Sequence, residues 1–475
     1  MKIQISLFYF YHIPNLITTM QPMYRTILVC ILFCIFISGT AQSLSKNKRM
    51  LDPQPPGMVL IKSGSIEFNQ LLANDSIIDD PLYRQGASFS SFWMDKHEVT
   101  NAMYREFVVW VRDSIIRERL ADPNLGDNEL FKIDQDEYGD PIPPYLDWSQ
   151  KIPWKNGSDE ELAAIESLFY MDPISGEKRM DEKQLLFTFE WFDSYTALKY
   201  GRLLSTDKAA SIRITKDTAY FDTNGAIVTE TIERPLSSRS DFIHTYIIPI
   251  FPDEYCWITD FRNSNNSMLV RNYFTHTDYN EYPVVGVSWH QAMAYCQWRT
   301  MMFRKGNAKT GIDLSEEFRL PTEGEWEYAA RAGNNKARYP WQKEDAAFCQ
   351  SCFVGNFKPG VGDYTSDGAL TTSRKMNYQP NAYGLFDMAG NVSEWTASAY
   401  FEAGHSMASD INPFITYRAS QSDPDHLKQK VVRGGSWKDV SQQIRSDLRG
   451  YAHQDAAHSF VGFRCVKTVV DPRKQ

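Results

Sequence analysis

The chain has 475 residues, of which 43% are hydrophobic and 14% aromatic, so it can bury a large core. It carries 50 basic and 59 acidic residues, and the net charge of -9 argues against a protein that binds phosphate backbones in general. Since the length exceeds what one core usually organises, we expect one main domain with a large insertion, and no nucleic-acid partner.

The N-terminus has the pattern of a secretory signal peptide. Arg25 precedes the apolar run Thr26–Ile37, and small residues follow up to Ala41. A membrane-spanning helix needs roughly twenty apolar residues, and this run has only about a dozen. We therefore predict that residues 1–41 are a signal peptide cleaved after Ala41, with Met20 as an alternative start, and that the protein is exported.

Five cysteines remain in the mature chain after Cys30 and Cys34, which lie inside the signal, are removed. An odd number allows at most two intrachain disulfides. Cys349 and Cys352 form a CxxC pair, but a lone CxxC is weak evidence for zinc, and the extended sequence after it is not typical of a redox helix. We expect this pair to be structural or reduced.

The first ordered segment is predicted to cover residues 57–111. Its start, Met58–Gly64, alternates apolar residues and ends in glycine, as a strand does. Thr100 is a plausible helix cap, and Met103, Phe107 and Trp110 are spaced to share one face of the helix that follows.

Residues 112–282 differ in character, since polar stretches rich in Pro and Asp alternate with aromatic runs, and we interpret them as an insertion. Within it, the Asn-Gly pair in Thr223–Ala226 predicts a tight β-hairpin, and Tyr255–Phe261 is predicted to be a strand. The many aromatic residues leave two interpretations open. They fill a small core of the insertion, or they form an interaction surface for a partner protein.

Regular patterns return over residues 283–467. Val284–Val287 is predicted to be a buried strand, and Ser288 to cap a helix. The apolar face of that helix comprises Ala292, Tyr295, Cys296, Arg299 and Phe303. Thr322 and Glu325 predict a capping box for a second helix, which Gly333 can close.

Five sequence blocks carry a resemblance to a known family. They are Tyr282–Trp289 (YPVVGVSW), Phe318–Gly333 (FRLPTEGEWEYAARAG), Asn381–Trp395 (NAYGLFDMAGNVSEW), Val431–Trp437 (VVRGGSW) and Val461–Cys465 (VGFRC). Together they resemble the formylglycine-generating-enzyme (sulfatase-modifying factor) family. The resemblance implies an α+β fold of duplicated C-type-lectin-like type, with short helices and strands, over residues 57–111 and 283–467.

The fourth block lacks the chemistry of that family, whose enzymes carry cysteines two and seven residues after the position of Trp437. Here those positions are Asp439 and Ile444. Neither residue can replace a thiolate as a soft ligand for copper. Ser436 has only Lys438 nearby in sequence as a base. We therefore expect no catalytic residues, no copper and no enzyme activity.

The resemblance also implies structural calcium, because Asp387 and Glu394 offer hard carboxylate oxygens on a compact loop. The family's first calcium loop corresponds to Asp387, Gly390, Val392 and Glu394. A second site corresponds to Asn356, Phe357, Asp367 and Ala369, in a loop that is shorter here. The alternative is that the carboxylates cap turns and pair with arginines.

A narrower resemblance covers most of the mature chain. The long insertion, Tyr255–Phe261 and Tyr273–Trp289 resemble the K-type lipoproteins (GldK/PorK) of the type IX secretion and gliding-motility machinery of Bacteroidetes. That resemblance implies a noncatalytic ring component in the periplasm at the outer membrane, which self-associates and binds an N-type partner (GldN/PorN-like) and other secretion components. The residues before Cys30 and Cys34 are large, which is not typical of a lipidation site.

Two other functions remain open at this stage. One is an active oxidase of the family, which would require a bound redox metal. The other is a lectin-like protein that binds carbohydrate or peptidoglycan, with Trp341, Trp395 and Trp437 as stacking platforms. Because these tryptophans lie in or near the family blocks, we expect them to be buried.

Overall fold

The structure is a computed structural model that describes residues 54–69, 84–173, 176–206, 208–223, 225–308, 316–341, 354–358, 365–402 and 409–469. The predicted signal peptide, Cys349 and Cys352 lie outside these ranges. Within them, no helix is both long enough and apolar enough to cross a membrane.

Helices and strands are mixed along the chain, and their bounds are as follows. The helices are α1 (Asn101–Ala121), α2 (Asp159–Glu166), α3 (Ser194–Tyr200), α4 (Cys256–Thr259), α5 (Ser267–Asn272), α6 (Trp289–Asn307) and α7 (Glu323–Arg331). The strands are β1 (Met58–Ile61), β2 (Gly64–Asn69), β3 (Arg84–Phe89), β4 (Phe92–Asp95), β5 (Lys132–Gln135), β6 (Pro141–Leu146), β7 (Phe169–Met171), β8 (Lys178–Met180), β9 (Leu186–Phe192), β10 (Arg213–Phe221), β11 (Ile227–Pro235), β12 (Ile243–Pro249), β13 (Phe318–Arg319), β14 (Ser393–Ala399), β15 (Gln429–Arg433), β16 (Gly450–His453), β17 (Val461–Gly462) and β18 (Val466–Thr468).

Two four-stranded sheets form the frame of the molecule. The first has the order β1-β4-β18-β13, so a strand from the end of the chain lies between strands from its beginning and middle. The second has the order β16-β15-β14-β17, in which Glu394 lies opposite Arg433 and Trp395 opposite Val432. Strand β1 confirms the predicted first strand. The architecture is therefore α+β, as expected.

Helix α1 begins where the sequence predicted. The Thr100 hydroxyl accepts a hydrogen bond from the Met103 N–H, which satisfies one of the unpaired donors of the first turn. The buried face is centred on Tyr104, Phe107 and Val108, whereas Met103 is only half-buried. The helix continues without a break past residue 111, where we placed the start of the insertion.

The capping boxes of the two later helices are confirmed. In α6, Ser288 accepts from the Gln291 N–H and the Gln291 side chain accepts from the Ser288 N–H, while Ala292, Tyr295 and Cys296 are buried. In α7, Thr322 and Glu325 make the same reciprocal pair. This helix closes on Ala332, whose φ is 48°, rather than on Gly333 alone.

Two predicted strands are wrong. Residues 255–261 contain the short helix α4 instead of a strand, because the Asp253 carboxylate accepts from the Tyr255 N–H and starts a turn that buries Trp257. Val284–Val287 is buried but is not a strand. Gly286 has a φ of +72°, which breaks the extended run, and a Cβ there would lie 2.5 Å from the Asp253 carbonyl oxygen.

The insertion consists largely of two-stranded ribbons, β5–β6, β7–β8, β9–β12 and β10–β11. The predicted hairpin joins β10 and β11, with Gly225 at a φ of +78°. Phe187 and Phe189 of β9 pack into the main hydrophobic core, and a separate small cluster surrounds Ile214, Leu236 and Phe242. Part of residues 112–282 is therefore anchored in the main hydrophobic core, and part has a small core of its own.

Candidate metal sites and the position of the absent cysteines

The loop that carries the first predicted calcium set is closely folded against residue 356. Asp387 and Asn391 have φ values of 56° and 55°, and Gly390 has a φ of +78°. A Cβ on Gly390 would lie 2.2 Å from the Asn356 carbonyl oxygen, so only glycine fits there. The Asn391 N–H donates to that same oxygen at 2.7 Å. The two predicted sets are therefore neighbours in space.

Glu394 of the first set is part of a buried ion pair. Its two carboxylate oxygens accept from Arg464 Nη2 at 2.6 Å and Arg464 Nε at 2.7 Å, and Oε2 also accepts from the Trp326 indole at 2.7 Å. Glu394 and Arg464 are both 0% exposed. The alternative interpretation, in which a carboxylate pairs with an arginine, therefore describes Glu394 better than the role of a calcium ligand.

Two further buried carboxylates lie close to this pair. Burial raises the pKa of Asp387 to about 6, although its Oδ2 accepts from the Met376 N–H at 2.9 Å. Burial, and then the charges of Asp387 and Glu394, raise the pKa of Glu98 well above its usual range. Glu98 Oε1 accepts from Asn391 at 3.1 Å, but Oε2 is buried without a hydrogen-bond partner. The raised pKa values of Glu98 and Asp387 favour their neutral forms, and a nearby cation would favour the ionised forms instead.

The second predicted set is brought together by the fold. The Asp367 carboxylate accepts from the Phe357 N–H at 3.0 Å and from the Ala369 N–H at 3.2 Å. The Asn356 amide donates to the Thr371 carbonyl at 2.8 Å, whereas its oxygen is buried without a hydrogen-bond partner. A buried amide oxygen without a donor is a group that a cation can satisfy.

The two predicted ligand sets differ in how well they fit calcium. Ca²⁺ favours six to eight oxygen ligands, many of them amide and backbone carbonyl oxygens, and the second set offers such groups around an unpaired Asn356 oxygen. In the first set Arg464 already pairs with Glu394, which leaves Asp387 and the Gly390 and Val392 carbonyls as the other predicted ligands. No group of three or more His, Cys, Asp or Glu side chains in the described part of the chain is arranged to hold a metal.

The sequence analysis missed Glu98, Asn391 and Arg464 as members of this region. Glu98 follows His97, and Arg464 lies in the last of the five sequence blocks. Nothing in the sequence around these residues indicates that they lie together in the fold. Their roles depend on contacts between segments far apart in the chain, such as Asn391 to Glu98. Sequence spacing alone does not reveal these contacts.

Asp439 and Ile444, the residues that the resemblance aligns with the family's two cysteines, have structural contacts. The Asp439 carboxylate accepts from the Ser436 N–H at 2.9 Å and the Ser436 hydroxyl at 2.7 Å, and pairs with Lys438 at 2.8 Å. Ile444 is 0% exposed and packs with Tyr339, Phe357 and Ala389. Asp439 thus caps a turn, and Ile444 fills an apolar cluster.

The tryptophans named as stacking platforms are not equally accessible. Trp395 is 0% exposed and its indole donates to the Val287 carbonyl at 2.9 Å. Trp437 is half-buried between Trp257 and Phe261, with ring centroids at 6.1 and 5.1 Å. Trp341 is half-buried and stacks on a neighbouring tyrosine. Trp395 at least cannot bind a sugar.

Comparison with known proteins agrees with the sequence blocks. The chain matches the "Sulfatase-modifying factor enzyme 1-like domain" family over residues 41–168 and 190–469. It is 34% identical over 200 residues to the mouse protein "Inactive C-alpha-formylglycine-generating enzyme 2", covering 41% of this chain and 52% of that protein. It is also 34% identical over 196 residues to the "Formylglycine-generating enzyme" of Thermomonospora curvata, covering 40% of this chain and 56% of that one. The chain thus spans about half the length of the curated relatives it matches.

Among solved structures, the chain is similar to PvdO from Pseudomonas aeruginosa, with a TM-score of 0.40 and 15% identity over 88% of this chain and 98% of that one.

Proposed function

The chain belongs to the sulfatase-modifying factor enzyme 1-like domain family, and from that premise we propose that it is a noncatalytic assembly component built on the family's fold. It would be a ring component of the type IX secretion and gliding-motility machinery, located in the periplasm at the outer membrane. Its partners would be further copies of itself and an N-type protein. The duplicated lectin-like character of the fold is part of the same proposal.

The loss of the thiol pair supports the noncatalytic role. The resemblance aligns Asp439 and Ile444 with the two cysteines, and Ile444 packs in a hydrophobic cluster with Phe357 and Ala389. The Ser436 hydroxyl donates its hydrogen bond to the Asp439 carboxylate and not to a histidine that could act as its general base. A copper centre or an activated nucleophile would need groups that these positions do not provide.

The observation that carries the proposal is the distribution of exposed apolar side chains. Among the described residues, 23 large apolar side chains are exposed, and 16 of them belong to residues 112–282. This enrichment of exposed apolar side chains in one segment of the chain supports a protein-binding role for that segment. The 16 residues are Leu125, Leu130, Tyr138, Tyr145, Trp154, Tyr170, Met171, Phe192, Leu198, Tyr220, Phe221, Ile227, Ile232, Tyr255, Ile258 and Met268.

Calcium is proposed as a structural ion of this domain. The residues that would hold it are Asn356 and Asp367 with the carbonyls of Phe357 and Ala369, because the Asn356 oxygen lacks a donor. A calcium ion there would hold the segments around Asn356 and Asp367 together without taking part in any reaction. A second ion near Asp387 would favour the ionised form of that carboxyl, whose pKa burial raises.

The test is recovery of partners from the envelope. The tagged chain is expressed in its own organism, captured from detergent-solubilised membranes and analysed by mass spectrometry. We expect type IX secretion components with the wild type, and reduced recovery with the double variant Leu130→Ser, Tyr138→Ser, whose side chains are 66% and 82% exposed. Leu370→Ser is the matched control, because Leu370 is 70% exposed but lies outside the insertion.

Two results would overturn the proposal. One is capture of sulfatases instead of secretion components, together with oxidation of a cysteine peptide by the purified protein. The other is equal loss of partners in the control and in the insertion variant, since the insertion would then have no special part in assembly.

A further inference from the structure

The β10–β11 ribbon presents an open strand edge. In the described residues this sheet has two strands only, and β11 is the outer one, since β10 lies next to β12. Eight of the nine residues of β11 are exposed and the ninth is half-buried. Proteins usually cover, bend or shorten such an edge, because its free N–H and C=O groups pair with other strands.

Strand β11 is rich in residues that favour strand pairing, although these residues are not buried. Ile227, Val228, Thr229, Thr231 and Ile232 are β-branched, a class enriched where strands pack against neighbours. Ile227 and Ile232 are 38% and 42% exposed. The hairpin closes with the Asp222 N–H donating to the Ala226 carbonyl. Hydrogen-bonded and non-hydrogen-bonded residue pairs alternate along an antiparallel ladder. Residues 229, 231 and 233 therefore turn their backbone N–H and C=O groups to the open edge.

The charges on this edge select one partner strand. Glu230 and Arg234 lie on either side of Ile232 and on the same face of the strand. In an antiparallel pair of two β11 strands centred on Ile232, Glu230 of each copy lies opposite Arg234 of the other, and Thr231 opposite Glu233. This register also brings together residues 231 and 233, whose backbone groups are free to pair.

Other registers are less favourable. Centring on residue 230 or 233 places a glutamate opposite its own copy, and centring on residue 231 brings no opposite charges together. Arg234 can take part, because its side chain is 46% exposed and its guanidinium keeps further donors beyond the contact with Asp241. The edge is thus complementary to itself in one register.

We propose that two copies of this chain pair through β11, antiparallel and two-fold symmetric about Ile232. A two-fold contact uses the same patch on both copies and is complete once a pair has formed. The β11 contact therefore produces a dimer, and a ring would need contacts through other surfaces of the chain. This inference does not depend on the proposed role in secretion.

Association of the full mature chain is measured by analytical ultracentrifugation at micromolar concentration. We expect a dimer for the wild type and a roughly fivefold weaker association for Glu230→Gln, since two cross-strand charge pairs are lost. Glu233→Gln is the matched control, because Glu233 lies on the other face of β11 and pairs with Arg213 at 3.3 Å within its own chain. Glu230→Arg should weaken the dimer, and exchange of both charges in Glu230→Arg, Arg234→Glu should restore it.

Disulfide trapping tests the register. Under mild oxidation Ile232→Cys is expected to form a covalent dimer, while Val228→Cys and the wild type remain monomeric on a nonreducing gel. A monomeric wild type without trapping of Ile232→Cys would overturn the inference, as would a dimer that responds equally to Glu230→Gln and Glu233→Gln. Capture from the envelope tests the secretion partners separately. If the chain forms the dimer but captures no secretion components, the result counts only against the proposed function.

Discussion

Loss of Arg464 should be among the most damaging single changes to this fold. The side chain is 0% exposed and donates to both oxygens of Glu394, to the Asp95 carbonyl at 3.1 Å and to the Phe386 carbonyl at 2.9 Å. Arg464→Gln leaves a buried carboxylate without its counter-charge, which costs about 3–5 kcal/mol. The cost falls on the folded state only, since water solvates Glu394 in the unfolded chain.

Urea unfolding followed by tryptophan fluorescence measures the effect. The midpoint should fall for Arg464→Gln, while Arg213→Gln, which breaks an ion pair with both side chains more than 60% exposed, should change the free energy of unfolding by less than about 1 kcal/mol. In the double variant Arg464→Gln, Glu394→Gln the loss should be smaller than the sum of the two single losses, because the uncompensated charge is gone. A loss below about 1 kcal/mol for Arg464→Gln, or additive losses, would refute this reasoning.

Three further predictions concern calcium, pH and packing. Chelation with EGTA should lower the melting temperature of the wild type and of the control Asp260→Asn by the same amount, and that of Asp367→Asn by less, because this variant has already lost one of the two proposed ions. Scanning fluorimetry measures the shift, and an equal response of all three would contradict the calcium site at Asp367. Burial, Arg418 and Lys216 lower the pKa of His244 from 6.5 to about 3, so the unfolded chain binds this proton first and stability should fall as pH drops from about 6.5 towards about 3. His244→Gln should show a shallower fall in urea midpoint over that range, and an unchanged slope would exclude His244 as the cause. Ile444→Ala should cost about 2–5 kcal/mol because Ile444 is 0% exposed, and a change under about 1 kcal/mol in the same assay would show that its cluster collapses around the smaller side chain.

Local rules predicted the helix starts well. Thr100, Ser288 and Thr322 cap helices as expected. A capping hydrogen bond joins a side-chain oxygen to an N–H only three residues later, so it depends on local sequence alone. The same short range explains the hairpin at Gly225. Such features depend on neighbours in sequence, so the sequence alone identifies them.

Features set by distant contacts were predicted less well. Residues 284–287 have the composition of a strand, yet the fold uses them as a buried connection, with the Val284 N–H donating to the Val99 carbonyl at 2.8 Å. Glu394 resembles a calcium ligand by spacing, but Arg464, 70 residues later, takes both its oxygens. The Asp367 carboxylate does contact the Phe357 N–H, a pair only ten residues apart in the chain.

The length of α1 has a mechanical consequence. The helix has 21 residues and is about 31 Å long. Its first residue is held by the last part of the insertion, since the Asn101 amide donates to the Tyr273 and Tyr279 carbonyls at 3.0 Å each. Ile116 and Leu120, in the second half of the helix, are buried in the main hydrophobic core as well. Residues 112–282 are therefore joined to that core at both ends, so a load on them would be shared by the whole packed face of α1.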